Sequence, residues 1–254
     1  MDLEYLPLLK TQRDLYRLPR GMERFREYLG ALIDKDADDI KVPLANLNPM
    51  GKDHVPAFLD ALIAIDADGA ASAAVDRARQ DLRGLHAEPA AFRVCLVATD
   101  DLLGGWTHRF SVELDHIRDQ RTLHKRGWIT VPLWTSESYA SKDVMAQTLA
   151  ALHRCALTQR AGYPGTLGEI LSQETAVYRA VAGYSLEMPV AAMPGADEIA
   201  YTEEILRPLL GATDEATLIA ALFGDAAAQQ LGHAPLGLSA RAGLALALTG
   251  VFKP

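Results

Sequence analysis

The sequence predicts an α/β or α+β protein, with a short, at least partly parallel sheet in the N-terminal half and a predominantly helical C-terminal portion. Three observations carry that expectation. Two short runs dense in β-formers, FRVCLVA (92–98) and WITVPLW (128–134), are each stopped by a polar cluster. Residues 53–82, ahead of the first run, are long enough and helical enough to supply the crossover that parallel pairing needs. From Ser141 onward almost every segment has helix-forming composition. With 254 residues, 49% hydrophobic and 23% charged, the chain can bury a sizeable core. It reads as a single domain: an irregular arm (1–20), an α/β core (21–140) and a helical portion packed on it (141–254).

Each element has its own justification. Residues 1–20 carry Pro7 and Pro19 and read as an arm anchored by Leu6, Leu8 and Leu9. Met22, Phe25, Tyr28, Leu29 and Leu32 recur at helical spacing. KVPLANL (41–47) is a short apolar run read as a strand, which Pro43 suits to an edge. Asn48-Pro49-Met50-Gly51-Lys52 is a turn by composition, followed by a helix from Asp53, placed to cap it, to Ile65. Residues 70–82, rich in Ala, Arg and Gln, form the next helix.

Beyond the first strong strand, Gly104-Gly105 interrupts the backbone. Residues 106–116 then carry two periods. Trp106, His108, Phe110, Val112, Leu114 and His116 alternate as on a strand, whereas Phe110, Leu114 and Ile117 fit a helix; the alternation favours the strand. In the C-terminal portion Ser141 opens a helix to about 159, and Thr166 with Glu169 forms a capping-box pattern for a helix to about 181. Residues 196–210 are periodic in Ile199, Leu206 and Leu209; Thr213 caps a helix to 223, and Ser239 caps the apolar last one. Residues 183–195, with two prolines and two methionines, suit a linker or a surface loop.

Charge narrows the partners. The net charge of −8 argues against a broad electrostatic grip on nucleic acid. Residues 164–254 hold ten acidic and four basic residues, whereas 104–128 hold five basic and three acidic ones, a locally positive island compatible with a small anion. The longest apolar runs fall far short of the roughly 20 residues of a membrane span. Residues 1–10 lack the apolar core of a secretory leader, so a cytoplasmic location is expected. Cys95 and Cys155 sit in apolar runs and read as buried thiols rather than a disulfide framework.

All three tryptophans and three of the seven histidines fall between Trp106 and Trp134. The three expected strands all end in loops with chemically capable side chains. The first holds Asn46, Asn48, Lys52 and His54; the second Asp100, Asp101, Trp106, Thr107, His108 and Arg109; the third Thr135, Ser136 and Glu137. In open α/β sheets ligands bind beyond the carboxyl ends of the strands, so parallel strands would bring these groups into one crevice. Loops are polar in any case, because backbone there needs water, and the same residues are compatible with ordinary turns.

Lys52, entering a helix, can hold an anion with the free amides there, although the residues of a Walker A loop are missing. Two glycines before Trp106 either aim the indole as a wall or let the backbone pass a bulky ring. His108, Glu113, His116 and His124 suggest a metal. Eight residues between His108 and His116, however, span about 26 Å on a strand and about 12 Å on a helix, too far for one ion. No metal is assigned, and no cofactor motif is complete.

The resulting expectation is a small-molecule hydrolase or transferase acting on a phosphate- or carboxylate-bearing substrate. His108, with Asp101 or Glu137, would move protons; Lys52, Asp100, Trp106, Arg109 and Ser136 would bind the substrate. The alternative is a non-catalytic binding or assembly protein whose Trp/Arg-rich patch is an interface. The sequence sets no oligomeric state.

Overall fold

The computed structural model describes residues 1–34, 39–102, 107–188 and 195–250. In chain order its elements are β1 (Asp2–Tyr5), α1 (Leu9–Leu15), α2 (Met22–Leu32), β2 (Ile33–Asp34), β3 (Asp39–Ile40), α3 (His54–Ala64), α4 (Ala67–Asp81) and β4 (Ala91–Thr99). There follow α5 (Arg109–Arg118), α6 (Arg121–Lys125), β5 (Trp128–Trp134), α7 (Ser141–Ala161), α8 (Leu167–Gly183) and α9 (Ala196–Leu206). A 3-10 turn (Arg207–Leu209) leads to α10 (Glu215–Phe223), α11 (Asp225–Gln230) and α12 (Ala242–Thr249). The expected class is observed: a parallel sheet in the N-terminal half and helices thereafter. Contacts divide the chain into two compact units, Met1–His108 with Arg121–Leu152, and Arg109–Gln120 with His153–Pro254.

In the first unit β4 is the central strand, paired in parallel with β1 on one side and β5 on the other. Its side chains from Val94 to Thr99 are buried on both faces, as a parallel sheet covered by helices requires. Ala-rich α4 packs on it because Ala67, Ala71, Ala74 and Ala78 present a thin buried stripe, and Arg79 donates to the Leu3 carbonyl at 3.0 and 2.8 Å.

β1 is short. Its last rung pairs Tyr5 with Val94, so the distal half of β4 lacks a neighbouring strand on that side. Gln12 of α1 takes the strand's place: its side-chain amide donates to the Leu96 carbonyl at 2.8 Å and accepts from the Ala98 amide at 2.9 Å. The residue is fully buried. Asp68 of α4 in turn accepts the Leu8 and Leu9 amides at the start of α1, and a bond from the Tyr5 hydroxyl.

Several expectations are corrected. Residues 1–20 are not an irregular arm, since they hold β1 and α1; β1 needs only four residues because a parallel partner is already in place. Residues 41–47 form no strand. Pro43 cannot donate to a ladder, and Leu44 and Leu47 instead close local turns on Val42 and Leu44, with both leucines fully buried. Residues 109–118 are helical; the buried pair Leu114 and Ile117, three apart, marks the core face, and the alternation was coincidental. Asp53 does not cap α3: its own backbone is already helical and its carboxylate makes no cap bond.

All the elements among the second unit's described residues are helices. The Thr166–Glu169 capping box opens α8 as expected. The cap of α10 falls on Asp214 rather than Thr213, and the residue before α12 is Arg241 in a left-handed conformation rather than Ser239. Residues 242–247 of α12 are buried all round, so the helix is apolar on every face. Gly243 lets α12 approach α10: a Cβ there would lie 2.3 Å from the Ala221 carbonyl. Thr175 of α8 donates to the Ala247 carbonyl at 3.0 Å.

Replacing Gln12 by methionine keeps the side chain's volume and removes both of its bonds to β4. Two buried backbone groups lose their partners, at about 1–3 kcal/mol each. Urea denaturation should show a loss of roughly 2–5 kcal/mol; a loss below about 0.5 kcal/mol would mean the β4 edge is satisfied in another way.

Candidate functional site

Because β4 and β5 are parallel and in register from Arg93↔Trp128 to Thr99↔Trp134, their carboxyl ends finish at one edge of the sheet. A further rung, from the Thr135 amide to the Thr99 carbonyl at 3.0 Å, carries the pairing into the loops. Asp100 is the first residue past β4 and is 1% exposed. Its carboxylate accepts from Asn48 Nδ2 at 2.7 Å, His54 Nε2 at 2.8 Å, Thr135 Oγ1 at 3.0 Å and the Leu102 amide at 3.1 Å. Burial alone would push this carboxyl up; the bonds from Asn48, His54, Leu102 and Thr135 outweigh it and hold the group below the ordinary aspartate value. Asp100 is therefore an anion, and three loops are tied to it.

The Asn48–His54 loop is fixed from below. Asn48 Oδ1 accepts the Met50 amide at 3.0 Å, and the Asn48 carbonyl accepts the Tyr16 hydroxyl. The mostly buried Arg24 guanidinium lies over the Tyr16 ring at 4.9 Å and donates to the Leu18 carbonyl at 2.9 and 2.6 Å. Lys52 and Asp53 point outward from this loop, and Lys52 forms no ion pair among the described residues. His54, the first residue of α3, reaches Asp100 with Nε2. Its Nδ1 is sealed from solvent and has no hydrogen-bond partner among the described residues.

The neighbouring Asp101 accepts from the Ser136 amide at 3.0 Å and the Ser136 hydroxyl at 2.6 Å. Thr135 Oγ1 lies 3.2 Å from Asp101 and 3.0 Å from Asp100. A hydroxyl has one proton, so it serves one of these carboxylates at a time. Glu137 accepts from the Tyr139 hydroxyl at 2.9 Å, and that hydroxyl accepts the Trp134 amide at 2.9 Å. Thr107 Oγ1 donates to the Asp100 carbonyl at 2.9 Å, leading to the exposed His108.

The structure thus brings Asp100, Asp101, Ser136 and the loop of Lys52 to one edge, with Glu137 beside them. Arg109 belongs to α5 of the second unit, where it approaches Glu113 at 3.4 Å. Trp106 lies outside the described residues. Trp128 and Trp134 are buried in the first unit, with Arg93 stacked 3.9 Å over Trp128. Of the four residues that suggested a metal, Glu113 is gripped by Arg241 and His124 is buried edge-on against Phe92. Among the described residues no three His, Cys, Asp or Glu side chains gather to hold an ion. Both cysteines are free and buried, and burial pushes the Cys155 thiol up to about 12.

Sequence reasoning placed Asn48, His54 and Thr135 on the right loops without assigning them a role. The signal was their presence in loops that parallel strands would join. Nothing in the chain ranked His54 above His108, because the ranking comes from a contact across 46 residues.

Asp100→Asn keeps the shape, removes the charge and replaces an acceptor by a donor. It should cost about 2–4 kcal/mol at pH 7 by leaving buried donors unpaired. Since the folded-state value is depressed, the wild-type advantage is present above the unfolded aspartate value of about 3.9 and is lost as pH falls through the folded value. Urea melts from pH 7 down to pH 2.5 should show the gap narrowing only below about pH 4; a gap constant across that range would contradict the buried anion.

No protein family, curated protein or solved structure matches the chain.

Proposed function

We propose that the strand-end site of the first unit belongs to a small-molecule hydrolase or transferase with a phosphate- or carboxylate-bearing substrate. The observation carrying this reading is His54. Its Nε2 is committed to the Asp100 anion, which orients the ring and favours the tautomer with a proton on that nitrogen. Nδ1 is then a lone-pair acceptor with no partner among the described residues. A sealed, unsatisfied polar atom costs roughly 1–3 kcal/mol, a cost explained where a reacting group or bound water takes up the valence. His54 is thus the general base, and Asp100 the positioning group that stabilises the imidazolium once it forms.

Lys52, exposed on the same loop and without an ion pair among the described residues, is suited to hold the substrate's charge. Ser136, held by Asp101, and Glu137 lie on the adjoining loop, and His108 follows Thr107 at the third. They remain the groups for substrate contact and for returning the proton to the leaving group.

Melting temperature measured against phosphates, nucleotides and small carboxylates tests the reading. A ligand at 100 times its Kd stabilises by about 2.7 kcal/mol. The expected response is to anions, and Lys52→Ala should weaken it. With the responding class as substrate, His54→Gln should lower turnover by roughly 100-fold or more while binding persists. Silence of the wild type across the anions, or unchanged turnover in His54→Gln, would leave Asp100 as a purely structural clasp.

A further inference from the structure

Helix α2 buries its polar residues and leaves its apolar ones nearer to water. Within Met22–Leu32 the two buried residues are Arg24 and Tyr28. Both face inward because they tie loops: Arg24 donates to the Leu18 carbonyl at 2.9 and 2.6 Å, and the Tyr28 hydroxyl donates to the Leu44 carbonyl at 3.1 Å. Met22 is 60% exposed and Ile33, which ends the helix, 40%, while Phe25, Leu29 and Leu32 are half-buried. At 3.6 residues per turn these five side chains share one arc of about 100° on the flank and outer side of the helix. Exposed apolar residues scattered singly need no explanation, but an arc of five on one helix marks a contact surface.

Spacing and charge fit one occupant, a second copy of the same helix. Met22, Phe25, Leu29 and Leu32 are separated by three, four and three residues, the seam spacing of paired helices. That order reads the same in both directions. Turned end for end about Glu27, the stripe sets Met22 against the second copy's Leu32, and Phe25 against its Leu29. The two ends carry opposite charge. Arg20, two residues before the helix, is exposed and forms no ion pair among the described residues; Asp34 lies two residues after it. An antiparallel copy brings each cation to the other's anion, whereas a parallel one sets like charges together.

We propose that α2 is a contact between two copies of this chain, packed antiparallel about a two-fold axis at Glu27. Met22, Phe25, Leu29, Leu32 and Ile33 form its apolar centre, and Arg20 with Asp34 of the other copy forms each rim. Such a contact meets itself and closes at two copies. Five side chains from each copy make a small interface, below roughly 1,200 Å², so the dimer is weak. The contact uses none of the groups assigned to chemistry at the His54 site and does not rest on that reading.

Sedimentation equilibrium of the full chain, across concentrations from about 1 to 300 μM, is expected to show a monomer–dimer equilibrium with a Kd of about 10–100 μM. Met22→Glu alters an exposed side chain, so it should keep the wild-type melting temperature at low concentration while raising the Kd roughly tenfold or more. Cysteine cross-linking with oxidised glutathione reads the orientation, because both native cysteines are buried. The double variant Met22→Cys/Ile33→Cys should form a covalent dimer, since antiparallel packing brings position 22 beside position 33 of the second copy. Met22→Cys or Ile33→Cys alone should not, because each then faces the far end of its partner. The proposal is overturned by a monomer at every concentration, which would leave the arc to a different protein or to a lipid surface. It is equally overturned by a dimer that Met22→Glu leaves intact, or by single variants that cross-link as readily as the double.

Discussion

A single negative charge taken out of water organises the carboxyl edge of the first unit's sheet. An isolated buried carboxylate costs several kcal/mol, and it persists only where hydrogen bonds replace its hydration. Asp100 collects four donors from its own loop, the Asn48–His54 loop and the loop after β5. Those loops therefore cannot relax independently. The parallel register of β4 and β5 sets the position of Asp100 and Thr135; Arg24 and Tyr16 set the position of Asn48. The geometry around His54 follows from the fold, with little freedom of its own.

The parts of this architecture legible in the sequence were those in which local composition and tertiary demand coincide. FRVCLVA and WITVPLW became β4 and β5 because both are β-rich and buried on two faces. The Thr166–Glu169 box is a contact between residues three apart and needs no further information. The failures share a different cause. KVPLANL is apolar because Leu44 and Leu47 anchor a loop, a demand that composition cannot tell from a strand's. In residues 106–116 two periods coexist over so few residues that the alternation outvoted the pair Leu114 and Ile117. β1 escaped notice because a four-residue strand depends on its partner for definition. The His54–Asp100 pair is a long-range contact with no local trace, although both of its loops were nominated.

The second unit follows another logic. Its last helix is apolar on every face and is admitted close to α10 by the missing side chain of Gly243. Beside that tight apolar packing stand two bidentate Arg–Glu pairs and a tyrosine. Apolar surfaces slide at little cost, whereas a guanidinium on a carboxylate tolerates one orientation. Such pairs therefore fix which residues of α5, α7, α8 and the start of α12 face each other, a specification that Ala- and Leu-rich helices supply poorly.

Gln12 has a consequence beyond its two bonds. A half-covered strand presents backbone donors and acceptors in the spacing that another extended chain can recognise, and such open edges seed strand addition between molecules. A carboxamide is a single peptide unit carried on a side chain, with one donor and one acceptor to match. By seating it against Leu96 and Ala98, the first unit closes that stretch of β4 to foreign strands without spending a second strand on it. In the folded unit, that stretch of β4 therefore keeps no open backbone pair at Leu96 and Ala98 for a further strand to take up.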